Sequence, residues 1–118
     1  MASADFYATT DANNNSHASS SVKRVQIISP TMTDESQIFQ SGTVIAVRTT
    51  FANTRNDSIK INIADADTDS SQGYPVYYNG AATSTSNPFL WDEGATIYFR
   101  YSAVTEPHWE VISGAGVN

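Results

Sequence analysis

Three groups of side chains in this 118-residue sequence have types and spacings that could do chemistry. The first is the run Asp65-Ala66-Asp67-Thr68-Asp69. Carboxylates at alternate positions suit a hard cation such as Ca2+, which gathers about six to eight oxygen ligands. A helix–loop–helix calcium loop would also need Gly at its sixth position and Glu at its twelfth. Ser70 and Val76 stand there instead, between strand-like flanks. Asp65, Asp67 and Asp69 are therefore candidate metal ligands only in a loop that borrows Ser71 or backbone carbonyls. The plainer reading is a solvated acidic loop, with no cofactor.

The second group is His17 and His108, the two histidines, with the carboxylates Asp92, Glu93 and Glu110. A Ser-His-Asp triad is combinatorially possible in so Ser-rich a chain, but nothing ties either histidine to a Ser or Asp, and no Gly-x-Ser-x-Gly elbow exists. Glycoside hydrolysis needs two carboxyl groups facing one another with pKa values pushed apart. Asp92 and Glu93 are adjacent and turn-like, and Glu110 alternates outward on its strand. No HExxH, dinucleotide fingerprint or phosphate-cradling glycine loop is present. His108 reads as an edge-strand residue. No enzyme is expected, and no catalytic residue is assigned.

The third group is aromatic: five Phe, six Tyr and two Trp. Phe51, Phe99 and Trp109 have the parity of core residues. Tyr77 and Tyr78 are consecutive in a strand and point to opposite faces. Tyr98 opposes Phe99, and Trp91 adjoins a turn. Rings beside amides and carboxylates grip sugars, because stacking supplies area and polar groups bond hydroxyls. Trp91, Tyr78 and Tyr98, with Asn79 and Asp92, are the candidate glycan-binding residues. The same features suit a subunit interface, or rings buried under loops.

The elements that must position these groups follow period-2 patterns. Phe6-Tyr7 reads as a short first strand. Residues 8–21 are almost wholly small and polar, which predicts a polar loop or flexible segment. Strands are expected over 22–28, 43–51, 58–63, 75–78, 96–101 and 108–112, the last two forming a terminal hairpin. Asn79-Gly80 is a strong hairpin-turn signal. Asp92-Glu93-Gly94 reads as a turn, 34–39 as a short helix capped by Thr33, and 113–118 as a tail. These elements predict an all-β fold: a compact antiparallel β-sandwich or partly closed barrel of six to eight short strands, in one domain over 1–118.

Composition narrows the function classes. With no Cys, thiolate catalysis, disulfides and Cys-ligated metals are excluded. Six Lys/Arg against twelve Asp/Glu give a net charge of -6, and only Lys23 and Arg24 are adjacent, so no phosphate-neutralising patch exists for nucleic acid. No apolar run reaches about 18 residues, so no membrane insertion by a helix is expected. The first residues carry neither a basic nor an apolar stretch, so no Sec-type signal peptide is expected.

Six pieces occur in an order that resembles a known module. They are Phe6-Tyr7, the strand around Lys23 and Val25, Gly42-Thr43-Val44-Ile45-Ala46-Val47, Phe51-Ala52-Asn53-Thr54, Ile59-Lys60-Ile61-Asn62-Ile63, and Pro75-Val76-Tyr77-Tyr78-Asn79-Gly80 with Leu90, Gly94, Phe99-Arg100-Tyr101 and Trp109-Glu110-Val111. The chain resembles a small all-β module of tail and other minor structural proteins of bacteriophages and prophages. It departs from that pattern where Asn62-Ile63 runs into the acidic 64–69 segment rather than Gly-x-Gly, and in a longer 82–90 loop.

The resemblance implies a non-enzymatic virion component, located in the virion, with other virion proteins as partners. A homo-oligomer and host attachment through a surface glycan are the expectations within that role. A pure assembly or decoration protein is the alternative, as is a carbohydrate-binding module of a secreted enzyme. A small hydrolase is the third class, and it would need a carboxylate pair or His with a shifted pKa in a pocket.

Overall fold

The computed structural model describes residues 4–17, 22–28, 40–54, 58–63 and 74–117. Among them are eight strands: β1 (Phe6–His17), β2 (Val22–Ile28), β3 (Val44–Arg48), β4 (Ser58–Ile63), β5 (Tyr74–Tyr78), β6 (Ala81–Ala82), β7 (Trp91–Ser102) and β8 (His108–Val117). They form one sheet in the order β4-β2-β1-β3-β7-β8-β5-β6. The sheet curls on itself, because β4 also pairs with β5 at Lys60↔Pro75 and Ile61↔Tyr74. The fold is a compact, all-β, barrel-like curl.

Alternation decides which face is buried. Ile45 and Val47 on β3, Ile59 and Ile61 on β4, Ile97, Phe99 and Tyr101 on β7, and Trp109 on β8 all point inward and are buried. Val76 on β5 and Phe89, in the loop before β7, complete the centre. A fully buried side chain of this size contributes about 1.5–3 kcal/mol relative to exposure. The register locks the set: Ile45 lies opposite Phe99, Val47 opposite Ile97, and Trp109 opposite both Tyr101 and Val76. A one-residue slip would turn every one of these side chains to the solvent.

Several expectations are corrected. The sandwich is replaced by the single curled sheet, and the pairing is mixed rather than antiparallel. β1–β3, β2–β4 and β5–β8 are parallel. Residues 8–17 are not a loop. They continue β1, which pairs with β2 from Thr9↔Ile28 to His17↔Lys23, with a register shift between Thr10 and Asn15. Strand pairing needs only backbone N–H and C=O groups, which a small polar run supplies as well as an apolar one. Residues 18–21 lie outside the described ones, as do 31–39, with the expected helix, and the acidic 64–73 segment.

Asp92-Glu93-Gly94 is not a turn between elements but part of β7. The strand bulges there, with a register shift between Trp91 and Thr96 and Gly94 at φ 84°. The bulge is tied to the end of β3, as Gly94 N donates to Thr49 O at 2.9 Å and Thr49 N to Ala95 O at 2.8 Å. Residues 113–117 are the end of β8, not a tail. His108 is not at an edge, since β8 lies between β7 and β5.

Candidate functional site

The same alternation that buries Phe99 and Trp109 turns Tyr98, Arg100 and Glu110 outward. Arg100 lies opposite Glu110 across β7–β8, and Tyr77 lies opposite Glu110 across β5–β8. Three polar side chains from three strands therefore stand in one cross-strand row. The row is bounded by the turn after β5, where Asn79 (φ 55°) and Gly80 (φ 83°) take the left-handed backbone of a tight hairpin turn. Between turn and row lies an open groove of about 210 Å³, lined by Tyr77, Asn79, Gly80, Arg100, Glu110, Val111 and Ile112.

The groove floor is hydrogen-bonded in series. Arg100 Nε and Nη2 donate to Glu110 Oε1 at 3.2 and 3.1 Å. Glu110 Oε2 lies 3.4 Å from His108 Nε2. His108 Nδ1 lies 2.6 Å from Glu106 O. The His108 ring is 5% exposed and stacks on Tyr77, with centroids 3.9 Å apart and planes 22° apart. The Tyr77 hydroxyl donates to Glu106 Oε1.

Among the described residues, Glu110 and Tyr77 are shifted from their ordinary values. For Glu110, burial acts to raise the pKa, but the hydrogen bonds from Arg100 and His108 and their charges prevail and hold the carboxyl below 4.5. For Tyr77, the hydrogen bond to Glu106, then burial, then the Glu106 charge raise the phenol above 10.0. Chemically, this floor presents fixed hydrogen-bond donors and acceptors. His108 is an internal strut: Tyr77 stacks on its ring, and its two nitrogens lie against Glu106 O and Glu110 Oε2.

The structure separates the sequence-predicted residues. Asn79 is exposed and lines the groove. Tyr98 is half-buried on the outer face, two residues from Arg100. Trp91 is 3% exposed, with its Nε1 donating to Phe51 O at 2.8 Å, and it packs on Phe89 and Phe51. It is a core ring and cannot stack on a sugar. Tyr78 turns inward onto Phe89, with centroids 4.9 Å apart, because Val76 two residues earlier is also inward. Asp92 is exposed beside the β7 bulge and does not line the groove.

Asp65, Asp67 and Asp69 lie outside the described residues. Among the described residues no group of three or more metal-ligating side chains converges.

Of these groove residues, sequence reasoning weighed Tyr77, Glu110 and His108 without placing them in a binding site, and it passed over Arg100. One signal was present: fixing Val76 as core forces Tyr78 inward and Tyr77 outward. The Arg100–Glu110 pairing depends on register across β7–β8, which composition does not carry. Comparison with known proteins found no matching family model, no matching curated protein and no matching solved structure.

Proposed function

We propose that this domain is a non-enzymatic structural module of a phage virion, in the tail or at the surface, that contributes to host attachment by binding glycan in the outer-face groove. The observation that carries the binding role is the cross-strand row Tyr77–Glu110–Arg100 beside the Asn79-Gly80 turn. It gathers an amide, a guanidinium and a carboxylate around a shallow concavity, with Ile112 as an apolar wall. Such a mixture suits a ligand with both hydroxyls and C–H faces. The virion assignment draws on the ordered motif pieces of the sequence. The non-enzymatic assignment draws on His108, which is buried and engaged at both nitrogens.

An assembly role is the second reading. Tyr7 supports it, as a large side chain 64% exposed on the outward face of β1. A screen of the purified protein against glycans and host cell surfaces, with its mass fixed by light scattering, separates the two. Glycan binding that is lost in Arg100→Ala at unchanged mass and melting temperature supports attachment. A well-folded protein that binds no surface is an assembly element.

A further inference from the structure

We infer that the groove is selective for uncharged sugars and that the Arg100–Glu110 pair is the subsite for two adjacent hydroxyls. This rests on the glycan reading above and deepens it. Two observations carry it: the charge of the floor and the hydrogen-bonding capacity left on it.

Arg100 and Glu110 neutralise one another at 3.1 Å. The other carboxylate nearby, Glu106, is engaged by the Tyr77 hydroxyl. No uncompensated cation faces the groove among its lining residues, and the chain as a whole carries -6. A uronic or sialic acid would bring a carboxylate to this floor with no free positive charge to meet it. An amino sugar would be drawn to Glu110 only by displacing Arg100.

The capacity left over has a definite pattern. A carboxylate has about four acceptor positions and a guanidinium five N–H donors. Glu110 Oε1 takes two bonds from Arg100 and Oε2 meets His108, which leaves room on Oε2. Arg100 commits Nε and Nη2 to Glu110; its Nη1 has no hydrogen-bond partner among the described residues. A donor on Arg100 and an acceptor on Glu110 Oε2 thus flank the ion pair, which is braced on the Oε2 side by the His108 strut. Adjacent sugar hydroxyls offer the complement: one accepts from Arg100 Nη1 and the other donates to Glu110 Oε2. Ile112 lies where the C–H face would rest.

The test uses the whole chain displayed multivalently, so that a weak site registers through avidity. It is presented with three polymers, one of neutral hexoses, one bearing uronic or sialic acids and one of amino sugars, and with neutral hexoses that lack single hydroxyls. Binding to the neutral polymer is expected, at least tenfold weaker in Arg100→Gln and in Glu110→Gln and weakened by removing either of two neighbouring hydroxyls. Melting temperature and light-scattering mass identify variants that fail by misfolding. If both variants misfold, the deoxy series on the unaltered protein decides alone: unequal loss centred on two neighbouring hydroxyls upholds the subsite, and indifference overturns it. Preference for an acidic or amino sugar overturns the selectivity but leaves glycan attachment standing. Binding to no polymer and to no host surface overturns both.

Discussion

At the residue scale, the fate of Trp91 separates a binding ring from a structural one. Its indole packs between Phe51 and Phe89 and anchors the Phe51 carbonyl. Trp91→Ala should cost about 3–5 kcal/mol, as large-to-small core changes do, a large part of the ~5–15 kcal/mol that holds a typical domain together. Trp91→Phe keeps a ring but loses the hydrogen bond to the Phe51 carbonyl, at about 0.5–1.5 kcal/mol. Urea denaturation checks both; a Trp91→Ala protein of unchanged stability would place the ring outside the core.

The groove residues make a second prediction at this scale. Glu110 is held below its ordinary carboxyl value, so its contribution to stability is present above about pH 4.5 and is lost as pH falls through its folded value. Tyr77 is raised above 10.0, so its contribution is present below that pH and lost as pH rises through the folded value. Glu110→Gln should flatten the acid side of a stability–pH profile. Glu106→Gln should return one late-titrating phenol, followed by ultraviolet absorbance, toward the ordinary tyrosine range.

At the element scale, β7 is a strand that the local chemistry disguises. Asp92, Glu93 and Gly94 are poor strand formers and read as a turn. The backbone instead absorbs Gly94 as a bulge and carries the strand on to Ser102. Nothing lies within 4 Å of a Cβ built on Gly94, so the obstacle to a side chain there is φ 84° and not a clash. Gly94→Ala should therefore cost about 1–2 kcal/mol, and Gly94→Asn less, because Asn tolerates the left-handed region. Equal costs for the two, measured by denaturation, would point to a packing cause.

Clean alternation made β4, the Ile97–Tyr101 part of β7 and the start of β8 legible in the sequence, because in them one face is apolar and the other polar. β1 beyond Tyr7 and the end of β8 were not legible. Their residues contribute backbone pairing to neighbours far along the chain, and side-chain type hardly records that. The groove was half legible for the same reason. Asn79 announces itself as turn chemistry, whereas Arg100 meets Glu110 only through register.

At the scale of the whole molecule, the unequal strength of the strand pairings predicts where the curl opens. β7 and β8 pair from Ser102↔His108 to Trp91↔Val117, and β3 pairs along β7 from Val44↔Arg100 to Arg48↔Thr96. Among the described residues the seam between β4 and β5 pairs at Lys60↔Pro75 and Ile61↔Tyr74, and β5 is held to β8 at Val76↔Trp109 and Tyr77↔Glu110. Opening the seam leaves the β3–β7–β8 core intact, with Phe99 and Trp109 still buried against their neighbours. Regions with few pairings open at a lower free energy than the global unfolding that core strands require. Native-state hydrogen exchange should therefore show seam amides of β4 and β5 exchanging through a sub-global opening, and those of Val47, Ile97 and Phe99 only with global unfolding. The groove stands on the β5 side of that seam, since Tyr77 belongs to β5 and is held to β8 through Glu110 and His108. A ligand that bridges Asn79 to Arg100 should slow exchange at β5 more than at β3. Uniform protection of all strands in the free protein would instead mean that the curl unfolds as one unit, with the β4–β5 seam as strong as the rest.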